Sequence, residues 1–378
     1  MRRVVASALF AAITGMMTVS AAAADNAPMW ESPVGLTPGA ATTVRMQSED
    51  VSVQIVERGA AAVAVVDATF DMSNPGSSAQ VLVGFPDFAS SALATTDSYS
   101  PVTFTPANLR NFRAWTDSAN FSPQERHVGT GQFGGSDWFV WSMVYPARRV
   151  VRVHVSYEQK LDEQSNGPWY RPIVHATYVL RTGALWAGTI GSATVTFTAP
   201  NGGGFVGADN TVESSDSRLV WHFTDFKPTF DPDAAYIYRA PWQELRSAEA
   251  QAGTPDAAPG DYLRAAQAAL RVLGRDGPYA EPAALVQRYA STMRTWAWRA
   301  SDLGTADAWE AVGDVEHYAA MPMGKNHGEL ACWPDAGAAA YDRAAEVGSA
   351  SAADKRADLD ATVAWMTSVG MAPIPSCS

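Results

Sequence analysis

Cysteine is nearly absent from this chain, whose 378 residues include only Cys332 and Cys377. Two thiolates alone do not complete the four-ligand shell of a structural zinc site, so metal binding by the cysteines alone is not expected. In an exported protein two cysteines most often pair. We therefore predict a disulfide that closes a loop of about 45 residues and adds roughly 3–4 kcal/mol to the free energy of unfolding.

Positive charge is also scarce, since 27 Lys and Arg stand against 39 Asp and Glu, a formal net charge of −12. Nucleic acids and anionic membrane surfaces repel such a protein, so neither is expected as a partner. An acidic surface is also a common way to keep an exported protein soluble. The net charge therefore argues against these two classes of partner, and it does not identify the partner that the protein binds.

One apolar run stands out, from Val4 to Met17, and it follows Arg2 and Arg3. Small residues, Ala22-Ala23-Ala24, come next and fit a signal-peptidase cleavage site before Asp25. The run is short for a membrane span. We predict a signal peptide over residues 1–24, a periplasmic or secreted location, and no integral membrane segment after cleavage.

Established catalytic motifs are missing as well: the sequence contains neither G-x-S-x-G nor H-E-x-x-H. Catalytic residues can still meet in space whatever their order in the chain. We predict a non-catalytic binding or structural module of the cell envelope, with an envelope or extracellular protein or a glycan as partner. The alternative is a metal-dependent or carboxylate-based hydrolase.

What the sequence does contain is apolar and polar residues in alternation over short segments. This period of two is typical of strands with one buried face. It occurs at 51–56, 62–72, 81–85, 102–105, 109–115, 138–145, 150–157, 173–180, 191–199, 219–223 and 236–238. After an extended lead-in at 25–41, we predict an antiparallel two-sheet β-sandwich over 42–240. Strands 138–145 and 150–157 are expected to form a hairpin.

Helical spacing replaces the alternation after about Pro241. Leu263, Ala266, Leu270 and Leu273 would share one helix face, and Leu285, Tyr289, Met293 and Trp296 another. The glycines and proline of 274–278 separate these two helices. A last helix is predicted around 359–369. Residues 241–378 are thus expected to form a small helical domain, closed by the disulfide.

Three segments carry a resemblance to a known family: Val44–Val51, Val83–Asp87 and Tyr178–Trp186. They resemble an exported bacterial domain-of-unknown-function family, family 4424, over about residues 40–240. The resemblance implies a β-rich exported domain. It implies no catalytic residue, because none is assigned in that family.

Two sets of side chains could hold a metal. Glu316, His317, His327 and Glu329 lie close in sequence, and two imidazoles with a carboxylate can bind zinc and leave a water position open. Asp225, Asp231 and Asp233 could bind calcium, although they lack EF-hand spacing. Both segments also fit ordinary polar loops, so no cofactor is predicted outright; zinc or calcium would be the metal.

Tryptophan is abundant, with 13 residues. Those within strand patterns are expected in the core: Trp138, Trp141, Trp186 and Trp221. Those at strand ends or in loops are candidates for stacking on a sugar ring: Trp115, Trp169 and Trp333. Three histidines lie in strand patterns at polar positions and are expected on solvated sheet faces: His154, His175 and His222.

Overall fold

The computed structural model describes residues 21–24, 26–32, 35–90, 104–106, 109–129, 136–161, 173–207, 213–273, 283–320 and 334–368. Strands occupy the described chain up to Ile237, and helices follow from Arg239 onward. The predicted order, a β-rich part and then a helical part, is therefore confirmed. The predicted signal peptide lies outside the described residues up to residue 20.

The strands have the following bounds: β1 Ala21–Ala24, β2 Ala27–Ser32, β3 Gly35–Pro38, β4 Arg45–Arg58, β5 Ala61–Asn74, β6 Ala79–Pro86, β7 Phe88–Ser90, β8 Phe104–Pro106, β9 Arg110–Thr116, β10 Ala119–Asn120, β11 Gln124–Val128, β12 Ser136–Tyr145, β13 Arg149–Leu161, β14 Ile173–Val179, β15 Ile190–Thr198, β16 Gly204–Gly207, β17 Glu213–Ser215, β18 Arg218–Phe226 and β19 Asp233–Ile237. The described part of the expected lead-in thus contains strands β2 and β3.

The strands form three larger sheets and the small pair β7–β8. The large sheet has the order β10-β9-β13-β5-β4-β15-β18-β17, the five-stranded sheet β11-β12-β6-β2-β3, and the four-stranded sheet β1-β14-β19-β16. Neighbouring strands are antiparallel except at β4–β15 and β1–β14, which are parallel. The antiparallel prediction therefore holds for most of the β region.

Side chains from all three sheets share one hydrophobic core. Alternation along β4 and β5 sends Val53 and Phe70 inward and leaves the polar residues outside. The four tryptophans predicted in the core are all buried, which confirms that prediction: Trp138, Trp141, Trp186 and Trp221.

The predicted hairpin between 138–145 and 150–157 is wrong. β12 pairs with β6 and β11 in the five-stranded sheet, whereas β13 pairs with β5 and β9 in the large sheet. The chain crosses between sheets at Pro146-Ala147-Arg148, and β5 leads to β6 by a similar crossing. A period of two shows which face of a strand is buried, and it does not show which strand lies beside it.

The helical part contains six α-helices among the described residues: α1 Arg239–Ala252, α2 Pro259–Leu273, α3 Ala283–Ala300, α4 Ala306–Ala320, α5 Pro334–Glu346 and α6 Ala352–Ser368. Helices α2, α3 and α6 confirm that helices form at the three predicted places. Ala266 and Leu270 of the first predicted face, and Tyr289, Met293 and Trp296 of the second, are buried. Helices α4 and α5 were missed because small residues, alanine and glycine, make up much of their buried faces, with Gly313 inside α4. A Cβ at Gly313 would lie 2.4 Å from the Tyr341 ring, so glycine allows α4 and α5 to approach closely.

The helices pack on the second face of the four-stranded sheet. Ile173, Ala235 and Ile237 of β14 and β19 share a core with Trp242 and Leu245 of α1. His175 lies on this face with its side chain only 12% exposed, so its prediction on a solvated face is wrong. Within the described residues, no helix has both the length and the apolar composition needed to cross a bilayer.

Candidate functional site

The outer face of the large sheet carries one continuous row of polar and aromatic side chains. Each member is the cross-strand partner of the next, from β10 at one edge to β18 near the other. We call it the Trp115 row, and its members in order are Asn120, Trp115, His154, Thr69, Asp50, Thr194 and His222. With neighbouring strands about 4.8 Å apart, the row is about 29 Å long.

No member of the Trp115 row is buried. The strands turn these residues outward because their sequence neighbours, such as Val51, Phe70 and Val195, fill the core. His154 and His222 therefore lie on a solvated face, as predicted. The result is an outward-facing strip that offers hydroxyl, carboxylate, imidazole and amide groups together with one indole ring.

The rings within the row are held in place. Trp115 stacks on His154, with ring centroids 5.2 Å apart and planes 11° apart. The Nδ1 atom of His154 lies 3.2 Å from the Thr69 hydroxyl, and its Nε2 lies 3.5 Å from a carboxylate oxygen of Asp117. At the other end, the Thr194 hydroxyl lies 3.0 Å from Nδ1 of His222.

A second set of charges lies beside the row on the same face. Arg152 donates two hydrogen bonds to Asp71, at 2.8 and 2.9 Å, and the Ser48 hydroxyl donates a third at 3.1 Å. The hydrogen bonds from Arg152 lower the pKa of Asp71, so this carboxylate is ionised at neutral pH. This part of the face is therefore both charged and rigid.

The other stacking candidates, Trp169 and Trp333, lie outside the described residues, as do the predicted disulfide partners Cys332 and Cys377. Three tryptophans that sequence analysis did not single out are the most exposed among those described: Trp30, Trp298 and Trp365. Trp298 and Trp365 lie on helices, where the sequence does not distinguish a buried tryptophan from an exposed one. Only packing shows which helix face is left uncovered.

The predicted zinc ligands Glu316 and His317 point to different neighbours. Glu316 is buried and accepts hydrogen bonds from Nε of Arg294, at 2.8 Å, and from the indole nitrogen of Trp298, at 2.6 Å. Burial raises the pKa of Glu316. Nε2 of His317 instead lies 3.3 Å from the Thr362 hydroxyl of α6. Consecutive residues of a helix lie about 100° apart, which explains the separation.

The other two predicted zinc ligands, His327 and Glu329, lie outside the described residues. In the part of the chain that the structure describes, no three His, Cys, Asp or Glu side chains are grouped as metal ligands. Zinc binding stays a prediction, which elemental analysis of protein purified without a metal-chelating tag tests directly.

The three calcium candidates also have separate partners. Asp231 has a fully buried side chain and pairs with Arg181, Oδ2 to Nε at 2.8 Å. Asp233 accepts a hydrogen bond from Thr177 and lies 3.2 Å from Nδ1 of His175, and Asp225 accepts one from Thr189 at 2.6 Å. Calcium binding by this set stays a prediction, and these contacts give each carboxylate a structural role.

One unusual carboxyl group, Glu49, was not singled out from the sequence. Its side chain points into the core, where the Tyr178 hydroxyl of the four-stranded sheet donates to Oε1 at 2.7 Å. Its second oxygen has no hydrogen-bond partner among the described residues. Burial raises the pKa of Glu49 to about 8. The sequence signal is that Glu49 falls on the alternation of Val51 and Val53; the bulge between Met46 and Ser48 is what also turns Met46 toward the core.

Comparison with known proteins adds little about function. A proposed nutrient binding protein from Legionella pneumophila has a similar solved structure, with 15% identity, 71% of this chain and 88% of that chain covered, and a TM-score of 0.42. Two structures of leukotriene A4 hydrolase from yeast, one with bestatin and one native, share 10% and 9% identity. Each aligns with 51% of this chain; 28% and 29% of the hydrolase chains are covered, with TM-scores of 0.30 and 0.28.

Likenesses at these TM-scores support no argument about the function of this chain. No protein-family model matches the sequence. No curated protein matches it either. The functional argument therefore rests on the geometry of the molecule alone.

Proposed function

We propose that this protein is an exported, non-catalytic binding module of the cell envelope that binds a glycan along the Trp115 row. The observation that carries the proposal is the row itself: seven outward-facing side chains in register across seven strands, with an indole ring among hydrogen-bonding groups. A sugar presents an apolar ring face to an aromatic side chain and hydroxyls to carboxylate and amide groups.

The composition of the row favours a glycan over a protein partner. The centre of a protein interface is depleted in charge and rich in apolar side chains. The Trp115 row contains no aliphatic side chain, and Asp50 is exposed near its middle. A polar strip of about 29 Å suits an extended oligosaccharide, which lies along a surface and needs no deep pocket.

The proposal also includes the export of the protein, its family and the arrangement of its sheets. We propose that the chain is cleaved before Asp25 and belongs to family 4424. The β region would then be a compact envelope module built as a two-layer sandwich. Hydrogen bonds between layers support the sandwich: Tyr236 donates to Glu57 at 2.8 Å, and the Ala62 amide donates to Tyr238 at 3.2 Å. Cell fractionation with N-terminal sequencing of the exported protein tests the cleavage site. Cleavage before Asp25 would remove β1 from the four-stranded sheet.

We predict that Trp115→Ala weakens glycan binding by at least tenfold, equivalent to about 1.4 kcal/mol. The substitution removes the stacking ring while the hydrogen-bonding groups of Thr69, Asp50 and Thr194 remain. The measurement is isothermal titration of the full-length protein with neutral hexasaccharides of glucose and of N-acetylglucosamine and with polysaccharide fragments from its own envelope.

Trp30→Ala is the matched control, because Trp30 is also an exposed tryptophan but lies on β2 of the five-stranded sheet. We expect this variant to bind as the wild type does. Equal affinities of the wild type and Trp115→Ala for every glycan that binds would contradict the proposal, as would the absence of binding across the whole panel.

A further inference from the structure

A group of aromatic side chains lies between the large sheet and the five-stranded sheet, away from the Trp115 row. We call it the aromatic cluster, and its members are Phe85, Phe112, Phe139, Trp141 and Tyr157. Phe112 is the hub, with ring centroids 4.4 Å from Phe139, 5.2 Å from Phe85 and 6.2 Å from both Trp141 and Tyr157.

The cluster reaches the surface of the molecule. Phe112 of β9 and Phe139 of β12 are only partly buried, while Phe85, Trp141 and Tyr157 lie behind them in the core. The Phe112 and Phe139 rings stack almost parallel, with an interplanar angle of 6°. Because β9 belongs to the large sheet and β12 to the five-stranded sheet, these two rings meet where the sheets face each other.

Two side chains, Trp141 of the cluster and Gln159 near it, bury polar atoms for which the described part of the chain offers no hydrogen-bond partner. Neither the indole nitrogen of Trp141 nor the two polar atoms of the Gln159 side-chain amide has a partner among the described residues. Trp141 is 4% exposed and Gln159 is 1% exposed. Gln159 is two residues beyond Tyr157 on the same face of β13, about 7 Å along the strand. Folded proteins seldom leave such groups unsatisfied, since burial removes their hydrogen bonds to water.

We propose that the aromatic cluster is the binding site of a neutral, flat small molecule that enters beside the stacked Phe112 and Phe139 rings, where the cluster reaches the surface. The ligand stacks on the rings, accepts a hydrogen bond from Trp141 and pairs with the Gln159 amide. It is uncharged, because none of the side chains that form the site carries a charge and an unpaired ion is costly to bury. This site is independent of the proposed glycan surface.

The test uses N-phenyl-1-naphthylamine, a neutral aromatic probe whose fluorescence rises in an apolar site and whose N–H group can donate to Gln159. We expect saturable binding of one probe per full-length chain. Gln159→Met keeps the size of the side chain and removes the amide, so we expect at least tenfold weaker binding. The melting temperature of the probe-free protein should stay the same or rise, because an unsatisfied polar group has been removed.

A second variant, Trp298→Ala, removes an exposed ring from α3, outside the cluster, and should leave probe binding unchanged. The proposal is overturned if the wild type shows no saturable binding, or if Trp298→Ala abolishes it. It is also overturned if Gln159→Met binds the probe as tightly as the wild type, whatever its melting temperature. A lower melting temperature of that variant would show in addition that the amide makes its hydrogen bonds within the protein.

Discussion

Replacing Glu49 by glutamine should prevent most of the decrease in the free energy of unfolding that the wild-type protein shows between about pH 4.5 and pH 8. Burial raises the pKa of Glu49 to about 8 from an ordinary value of 4.5. At pH 8 the glutamine variant should be more stable than the wild type by on the order of 4 kcal/mol. At pH 4.5 the two proteins should differ little.

The direction follows from proton binding. Between pH 4.5 and 8 the folded protein holds the Glu49 proton, whereas the unfolded chain has released it. The folded state therefore binds more protons, and the free energy of unfolding falls as the pH rises, by about 1.4 kcal/mol per pH unit for one group. Above the folded pKa both states are ionised, and this contribution no longer changes.

The surroundings of Glu49 explain why its ionised form is unfavourable in the folded protein. Glu49 faces the core between Phe70 and Ala193, its neighbours on β5 and β15. The Tyr178 hydroxyl donates a hydrogen bond to it, and the adjacent Asp50 adds a repulsive negative charge. Glutamine keeps the shape and an acceptor for Tyr178, and it has no charge to desolvate.

Urea unfolding at several pH values measures the effect. Glu125→Gln is the matched control, because Glu125 is exposed on β11 and its substitution should leave the pH profile of the wild type intact. Parallel stability profiles for the wild type and Glu49→Gln from pH 4.5 to 8 would show that Glu49 does not titrate as its burial requires.

Replacing Asn74 by alanine should destabilise the protein by on the order of 3–5 kcal/mol. Asn74 is fully buried where both sheet crossings meet. Its side-chain NH₂ donates to the carbonyl oxygens of Ser77, at 2.7 Å, and of Tyr145, at 2.9 Å. Its side-chain oxygen accepts from Gly76 and Thr43, at 3.0 and 3.1 Å. Alanine would leave all four groups without this partner.

Asn74→Asp distinguishes the two hydrogen bonds that Asn74 donates from the two that it accepts. The carboxylate keeps both acceptor contacts but faces two carbonyl oxygens with negative charge, so we expect a loss at least as large as for alanine. Gln80→Ala, which removes one exposed hydrogen bond to Ser142, should cost about 0.5 kcal/mol or less. Thermal unfolding of the three variants provides the comparison. A loss below about 1 kcal/mol for Asn74→Ala would contradict the crossing geometry.

The candidate site was only partly predictable from the sequence. Trp115 was expected to be available to a ligand, and His154 and His222 were expected on a polar face, because alternation assigns each residue of a strand to one face. That these three residues lie in one row could not be predicted, since they are 39 to 107 residues apart in the sequence and their alignment depends on strand register. The sequence does not indicate that the polar atoms of Trp141 and Gln159 are buried without partners among the described residues, because hydrogen-bond partners depend on which residues the fold brings close.

The sequence by itself determined which part of this protein is β and which is helical, and which faces of β4, β5, β13 and β15 are buried. These properties depend on residues a few positions apart, whose periodicity is local. Tertiary structure alone decided that β12 and β13 belong to different sheets, that Glu49 meets Tyr178 of another sheet in the core, and that Gly313 lets α4 pack closely against α5. The physical reason is that strand partners and close helix contacts depend on pairing between distant segments, which local periodicity does not encode.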